Sequence, residues 1–246
     1  MLLLTLALDT SAIPLSVAVI NDGQPLATIQ TSRQKNHSVT LMPAIAEALK
    51  LAQVTIEAID QLIVAAGPGS YTGVRIAVTT AKTLAWTLNK PVYAVSSLAA
   101  LTLPWRQNEG ALIIPLIDAR RNHFFAGCYQ WQAGQLHQIA SDAYLDRTEI
   151  VDQIKQNATK QIFFGGQITV EQQTFFTEQL SEKTCHFASG SETLPLAGEF
   201  SQLIINQEPV ADLDHFVPTY LRKTEAEVNW LAQHPHEESD HYVEQV

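Results

Sequence analysis

The segment Gly67-Pro-Gly-Ser-Tyr-Thr-Gly-Val-Arg75 constrains the fold of this chain more than any other. Three glycines and a proline within seven positions are incompatible with a regular strand or helix. The segment follows the apolar run 62–66 and precedes a helical pattern of apolar residues over 72–88. It therefore predicts a sharp turn at the start of a helix, where unpaired backbone N–H groups favour an anion.

This glycine loop matches neither of the two best-known nucleotide loops. A P-loop ends in Gly-Lys-Ser/Thr, whereas Val74 and Arg75 follow Gly73 here. A dinucleotide fingerprint has the spacing G-x-G-x-x-G, and the glycines here leave one residue too many. The spacing leaves two interpretations open, a structural turn with a helix cap and an anion site. The anion-site candidates in the loop are Gly67, Gly69, Ser70, Thr72, Gly73 and Arg75.

The charge of the chain argues against direct binding of nucleic acid. The formal net charge is −10, and residues 224–246 carry six acids without a Lys or Arg. A protein that grips RNA phosphates by itself needs clustered Lys and Arg, and the sequence shows no basic stripe with interleaved aromatic residues. Any contact with RNA is therefore predicted to be indirect.

Hydropathy and cysteine usage predict a cytoplasmic protein without a membrane segment. No run approaches the roughly 18 apolar residues of a transmembrane helix. The apolar start lacks a basic region and leads directly into Asp9, so it predicts a buried strand and not a signal peptide. Cys128 and Cys185 lie far apart, which indicates free thiols in a reducing compartment.

Apolar periodicity predicts the same order of elements twice, β-β-β-α-β-α. In the first half the expected strands are 3–9, 15–20, 25–30, 62–66 and 91–95, and the expected helices are 38–52, 72–88 and a short one after Ser97. Pro43 predicts that helix 38–52 begins late or bends. In the second half the expected strands are 111–117, 123–130, 135–140 and 161–164, and the expected helices are 148–157 and 169–180.

A duplicated unit of this kind is the layout of the actin, sugar-kinase and chaperone ATPase superfamily. The chain is predicted to have this two-domain α/β fold, a duplicated ribonuclease-H-like unit with a reduced second half. Asp9 and Asp118 take equivalent places, each at the end of the first strand of its half. The expected first domain is 1–106 with a C-terminal helix over about 216–233, and the second is 107–215. The acidic tail 234–246 is expected to be disordered.

Short motifs spread over nearly the whole chain resemble the TsaB family, also called YeaZ. The central one is Gly67 to Ile76, with Ala81-Lys82 and Leu84-Ala85-Trp86 beyond it. The chain departs from the family pattern in two places: Ala77 and Thr83 stand where glycine is frequent, and Arg121-Asn-His-Phe124 replaces a more usual acidic stretch after Arg120. The other motifs are Leu8-Asp9-Thr10-Ser11, Asn36-His37-Ser38, Leu41-Met-Pro43, Val95-Ser-Ser-Leu98, Ile117-Asp-Ala-Arg120 and Pro218-Thr-Tyr-Leu-Arg222.

The resemblance implies a non-catalytic scaffold that binds and stabilises a catalytic subunit, TsaD. That enzyme transfers a threonylcarbamoyl group to adenosine 37 of transfer RNAs that read ANN codons. A TsaE-type ATPase is expected in the same assembly, and a homodimer is expected when the chain is alone.

The resemblance also implies that helices 38–52 and 72–88 pair with TsaD or with a second copy of the chain. An exposed Trp or Met suits the centre of such an interface. The outward-facing candidates are Val39, Met42, Ala46, Val78, Lys82 and Trp86.

The enzyme alternative is a small-molecule kinase or ATPase. In ATP-using members of the superfamily the two strand-end aspartates orient Mg²⁺ and water. The chain is expected to require no cofactor of its own and to bind ATP or ADP with Mg²⁺ only weakly. The Thr and Ser after Asp9 can hydrogen-bond a turning backbone, and the arginines after Asp118 can pair with it or bind an anion. These additional candidates are Asp9, Thr10, Ser11, Asp118 and Arg120.

A metal site is not expected. The resemblance assigns to TsaD a metal-binding His-x-x-x-His, in which two histidines four apart on one helix face hold one metal. The corresponding stretch here reads Ser96-Ser-Leu-Ala-Ala-Leu101. A metallopeptidase is therefore the less supported enzyme alternative. His37 is predicted to make a hydrogen bond at the entry of its helix.

Overall fold

The computed structural model describes residues 3–32, 36–222 and 230, and the first part of the chain forms a five-stranded sheet. Its strand order is β3-β2-β1-β4-β5. The strands are β1 (Leu4–Asp9), β2 (Leu15–Asn21), β3 (Gln24–Thr31), β4 (Gln61–Ala65) and β5 (Val92–Val95), and the helices are α1 (His37–Ala52), α2 (Tyr71–Leu88) and α3 (Ser97–Ala100).

The second part of the chain repeats this topology in a second five-stranded sheet of order β10-β9-β6-β7-β8. In each sheet the first strand pairs antiparallel with the second and parallel with the fourth. The duplicated fold expected from the sequence is therefore confirmed. The strands are β6 (Leu112–Asp118), β7 (His123–Gln132), β8 (Gln135–Asp146), β9 (Gln161–Gly165) and β10 (Thr184–Phe187), and the helices are α4 (Arg147–Gln156) and α5 (Val170–Gln179).

The reduction of the second half concerns its helices and not its strands. Helices α4 and α5 have 10 residues each, whereas α1 has 16 and α2 has 18. Strand β10, which the sequence did not predict, occupies the place of β5 and pairs parallel with β9. Strand β8 continues to Asp146, beyond the predicted end at residue 140.

Apolar burial divides the core into three clusters. One lies under α1 and α2 and includes Leu8, Val64 and Val78, and another packs α4 and α5 on the second sheet. The third joins the two sheets, because Ile63 of β4 belongs to the same buried cluster as Phe163 of β9. This shared core fixes the two halves against each other, since removing apolar surface from water is the main favourable term of folding.

Helix α1 begins at the expected place despite its proline. The Asn36 side chain accepts the Ser38 N–H as the N-cap, so the prediction of a late start is wrong. Pro43 lies on the exposed face of the helix, and its missing N–H leaves the Val39 carbonyl without that helical partner. The buried face of α1 consists of Leu41, Ala44, Ile45 and Ala48.

The segment after β10 returns to the first sheet. The 3-10 helix Ala197–Leu203 packs on β2 and β3, and Val210, Leu213 and Phe216 pack on the core under α1 and α2. Residues 216–222 are extended or bent, so a helix that begins at Pro218 is wrong. The Thr219 N–H donates a hydrogen bond to the Ala66 carbonyl at 2.7 Å and not to a carbonyl of such a helix. The domain boundaries stay a prediction.

The remainder of the expected C-terminal helix, apart from Trp230, and the acidic tail 234–246 lie outside the described residues. Over the described ranges, none of the helices combines the length and the apolar character that crossing a bilayer requires.

Candidate functional site

The glycine loop, residues 67–73, is held between two other segments of the chain. The peptide between Gly67 and Pro68 is cis, and Gly67 has a φ of 115°, which favours glycine. The Gly67 N–H donates to Ser97 Oγ at 3.2 Å, and the Ser97 N–H donates back to the Gly67 carbonyl at 2.9 Å. A Cβ on Gly67 would lie less than 3.0 Å from the Thr219 carbonyl oxygen. The absence of a side chain at Gly67 therefore allows the C-terminal segment, residues 210–222, to approach the loop closely.

The other two glycines bring the start of α2 against the turn that follows β1. The Ser70 N–H donates to the Ser11 carbonyl at 2.7 Å, and Thr10 Oγ1 donates to the Gly73 carbonyl at 2.7 Å. A Cβ on Gly69 or Gly73 would lie less than 3.0 Å from the backbone oxygen of Ser11 or Thr10 respectively. Both glycines are thus required by contact with the protein's own backbone, which favours the structural-turn interpretation.

Several backbone donors of the loop are bonded within the chain. The N–H groups of Gly67 and Ser70 are bonded as described, and the Gly73 N–H donates to Ser70 Oγ at 3.3 Å as the cap of α2. Thr72 and Arg75 are exposed. The Arg75 guanidinium donates to the Tyr71 hydroxyl at 3.0 Å and lies over the Tyr71 ring. Three of the loop's N–H groups are thus used within the chain, which favours the structural-turn interpretation.

Asp9 is a buried carboxyl at the end of β1. Only 1% of the residue is exposed, and burial raises its pKa to about 6. Its Oδ1 accepts the Ser11 N–H at 2.8 Å. No cation of the described residues forms an ion pair with it. Asp9 lies beside the glycine loop, because the next two residues, Thr10 and Ser11, hydrogen-bond to it.

Asp118 and Arg120 form a separate, exposed turn on the second sheet. Asp118 Oδ1 accepts the backbone N–H of Arg120 at 2.7 Å, and no guanidinium of the described residues pairs with this carboxylate. Arg120, Arg121 and Asn122 have left-handed φ values of 70°, 53° and 61°. The C-terminal segment approaches this turn as well, since Arg222 Nη1 donates to the Ala119 carbonyl at 3.4 Å.

Most of the outward-facing candidates on α1 and α2 are exposed. Val39 is 64% exposed, Met42 51% and Trp86 68%, and Ala46 is exposed as well. Val78 is the exception, because it is 2% exposed and packs in the core under the helices. Its expected outward position is wrong, since α2 buries a stripe wide enough to include both Ala77 and Val78.

Lys82 is partly buried and is engaged within the chain. Its Nζ donates to the carbonyl oxygens of Asp214 at 2.7 Å and Phe216 at 3.4 Å. These partners lie more than 130 positions away along the chain. The sequence offers no signal for them.

Two grooves follow the exposed face of α2. One, of about 430 Å³, separates α2 from the start of α1 and is lined by Ser38, Tyr71, Thr72, Arg75, Ile76, Thr79 and Thr80. The other, of about 370 Å³, separates α2 from the C-terminal segment and is lined by Arg75, Val78, Thr79, Lys82, Thr83, Trp86, Phe216, Val217 and Pro218. Sequence reasoning missed Tyr71 and Val217, which are 44% and 67% exposed.

The chain is similar to known proteins over most of its length. A family model described as "TsaD: tRNA N6-adenosine threonylcarbamoyltransferase" matches residues 26–230. The "tRNA threonylcarbamoyladenosine biosynthesis protein TsaB" of Bacillus subtilis is 36% identical over 226 residues, which are 92% of this chain and 97% of that protein. The chain belongs to the TsaB family.

Other members of the TsaB family match over similar lengths. The protein of the same name in Escherichia coli is 29% identical over 228 residues, 90% of this chain and 95% of that protein. The crystal structure titled "YeaZ from Pseudomonas aeruginosa" has 30% sequence identity and a TM-score of 0.72, and the match covers 89% of this chain and 100% of that one. The resemblance predicted from the short motifs is thereby confirmed.

The stretch 96–101 has structural roles in this TsaB-family chain. Ser97 bonds the glycine loop, and Ser96 Oγ donates to Asp142 Oδ2 at 2.5 Å. Over the described part of the chain, no group of three or more His, Cys, Asp or Glu side chains could hold a metal ion. His37 Nε2 donates to the Ala12 carbonyl at 2.9 Å, so the predicted bond at the entry of α1 is present.

Proposed function

We propose that this chain is a non-catalytic scaffold subunit that binds and stabilises a TsaD-type catalytic subunit during threonylcarbamoylation of transfer RNA. The names of its TsaB relatives, tRNA threonylcarbamoyladenosine biosynthesis proteins, support the pathway. The match to the TsaD family model supports a paired subunit of related fold. The internal use of the glycine-loop donors supports a role other than phosphate chemistry.

The observation that carries the proposal is that large apolar side chains are exposed on both α1 and α2. Met42 on α1 and Trp86 on α2 are 51% and 68% exposed. Val39 lies one turn before Met42 and is 64% exposed. Val39 and Met42 form an exposed apolar pair on α1, and Trp is enriched at the centre of protein interfaces, so these side chains suit a surface that another protein covers.

A scaffold acts on its partner through mass action. Binding to the competent conformation of the catalytic subunit raises the population of that conformation by the difference in affinity between its states. In the proposed assembly a TsaE-type ATPase joins the pair, and a second copy of the chain takes the same helix face when the partner is absent. Self-association and partner binding then compete.

The proposed subunit requires no cofactor of its own, contacts transfer RNA only through its partner and works in the cytoplasm. The alternative is a kinase or ATPase that binds ATP or ADP with Mg²⁺ at Asp9, Asp118 and the glycine loop. ATP hydrolysis by the purified chain, at a rate unaffected by further purification and lost in Asp9→Asn, would establish that alternative.

The test of the scaffold role is the double variant Met42→Glu with Trp86→Arg. Both side chains are exposed, so the isolated variant is expected to unfold like the parent. Unpaired charges at a desolvated contact are expected to weaken binding by several kcal/mol. Co-elution with the TsaD-type subunit and formation of threonylcarbamoyladenosine on transfer RNA are the measurements.

The matched control is Val170→Glu. It places a charge on an apolar side chain that is 77% exposed at the start of α5, on the other half of the molecule. This variant is expected to co-elute and to support modification normally. Normal binding and modification by the folded double variant on α1 and α2 would show that the partner uses another face.

A further inference from the structure

The C-terminal strap, residues 210–222, has no regular secondary structure and touches both halves of the molecule. The Val210 N–H donates to the Val92 carbonyl of β5, and the Thr219 N–H to the Ala66 carbonyl, both at 2.7 Å. Tyr220 stacks on Tyr71 of α2 with ring centroids 4.8 Å apart. Beyond these contacts, Arg222 reaches the second half through the Ala119 carbonyl. The strap therefore crosses from one edge of the first sheet to the exposed turn of the second.

Lys82 anchors the middle of this strap from α2. Its ammonium group donates to the carbonyls of Asp214 and Phe216, which lie in a part of the strap without regular secondary structure. A charged donor makes stronger hydrogen bonds than a neutral one. Over the described residues, Lys82 forms no ion pair. Its charge is directed at the backbone of the strap.

The anchored strap forms one wall of the groove of about 370 Å³ beside α2. Phe216, Val217 and Pro218 line that wall, and Trp86 lies on the opposite wall. Val217 and Trp86 are 67% and 68% exposed. Phe216 is the link between anchor and groove, because its carbonyl accepts from Lys82 while it packs on the core under the helices.

We propose that Lys82 is a positioning residue for partner docking: it holds the strap so that the strap and Trp86 form one preformed groove for the TsaD-type subunit. This inference rests on the proposed function. When the anchor is lost, the strap must be ordered as the partner binds, and the apparent affinity falls in proportion to the fraction of molecules that have the strap in place.

Lys82→Met tests the inference, because methionine keeps much of the aliphatic stem and removes the charged donor. In the isolated chain, amide hydrogen exchange at Phe216 and Thr219 is expected to accelerate, since the middle of the strap is released. Affinity for the TsaD-type subunit, measured by calorimetry, is expected to fall about tenfold. Lys82→Arg, which can still donate to carbonyls, is expected to restore most of both properties.

The matched control is Lys155→Met, which removes one exposed lysine charge from α4 on the other half of the molecule. It is expected to change neither the exchange of the strap nor the affinity. Faster exchange in Lys82→Met with unchanged affinity would show that the strap does not build the docking groove. Weaker affinity with unchanged exchange would make Lys82 a direct contact, which also contradicts the inference. Failure of the parent chain to bind the TsaD-type subunit would instead overturn the proposed function.

Discussion

Asp9 and Asp118 form the same hydrogen-bonded turn in opposite surroundings. Each ends the first strand of its sheet and accepts the N–H of the residue two positions later, at 2.8 and 2.7 Å. Asp9 is buried against the loop that precedes α2, whereas Asp118 is exposed. Both halves of the duplicated fold thus contain this hydrogen bond. Other parts of the chain bury the aspartate only in the first half.

The first prediction concerns the pH dependence contributed by Asp9. Its folded-state pKa of about 6 lies above the ordinary value of 3.8, because burial disfavours the charged form. The folded state therefore holds a proton that the unfolded chain releases, so this contribution to stability is full below pH 3.8 and is lost as pH rises through about 6. Asp9→Asn removes this titration while its amide oxygen can still accept the Ser11 N–H.

The difference in unfolding free energy between Asp9→Asn and the parent chain is expected to be about 2 kcal/mol larger at pH 7.5 than at pH 4.5, in favour of the variant. Urea unfolding of both proteins at the two pH values measures this difference. Asp118→Asn is the matched control, because it changes the corresponding carboxyl of the exposed turn. A pH-dependent difference no larger for Asp9→Asn than for the control would show that burial of Asp9 is not its cause.

Strand-end residues and the repeated element order could be predicted from the sequence because they follow from local periodicity. Strand β10 could not, since Thr184–Phe187 is a four-residue edge strand, none of it fully buried, that carries no alternation to detect. Its place is decided by pairing with β9 over the whole strand.

Site residues whose positions depend on the local sequence could be predicted. Those whose positions depend on contacts with distant parts of the chain could not. The turn-forming glycines were found from their spacing, but the atoms that exclude a side chain at Gly69 and Gly73 belong to the backbone after β1. The predicted outward position of Val78 was wrong because a helical wheel gives the direction of the buried stripe on a helix and not the width of that stripe. The width depends on how closely α2 packs on β4 and α1.

The second prediction is that Gly73→Ala destabilises the protein although alanine is the better helix former. Helix propensity alone would stabilise α2 by up to about 1 kcal/mol. The added Cβ would lie less than 3.0 Å from the Thr10 carbonyl oxygen, which belongs to a fully buried residue. Overpacking of this kind costs about 1–3 kcal/mol, so the close approach is expected to outweigh propensity.

Chemical denaturation of Gly73→Ala measures the net effect. Gly190→Ala is the control for added bulk, because no atom lies within 4 Å of the new Cβ there and the φ of 54° alone opposes alanine. It is expected to cost about 1–2 kcal/mol through backbone strain. Unchanged or increased stability of Gly73→Ala would mean that the turn after β1 moves away at little cost.

The third prediction separates Val78 from Trp86 on α2. Val78→Arg places a cation among the buried side chains under the helices and is expected to cost several kcal/mol, enough to unfold much of the isolated chain. Trp86→Arg changes a side chain that is 68% exposed and is expected to stay within about 0.5 kcal/mol of the parent. Thermal unfolding of the two isolated variants distinguishes them, and equal melting temperatures would contradict the assignment of Val78 to the core.

The fourth prediction concerns the polar contact between the end of β5 and strand β8. Ser96 Oγ caps α3 by accepting the N–H groups of Leu98 and Ala99, at 3.1 and 3.2 Å, and donates to Asp142 Oδ2. The other carboxylate oxygen accepts the Tyr129 hydroxyl. Burial and the Asp142 carboxylate raise the pKa of Tyr129, so its hydroxyl remains a donor at neutral pH.

A double-mutant cycle of Ser96→Ala and Asp142→Ala measures this contact between the two halves. Each single variant is expected to lose stability, Ser96→Ala partly through the helix cap, which is worth about 1 kcal/mol. Because the two side chains touch, their effects are expected to be non-additive by about 1–2 kcal/mol, as for hydrogen bonds to a charged group. Ser96→Ala with Asp146→Ala, a carboxyl at the end of the same strand that caps α4, is the additive control. Additive losses in both cycles would show that the Ser96–Asp142 bond does not hold the halves together, and the shared apolar core would then be their principal connection.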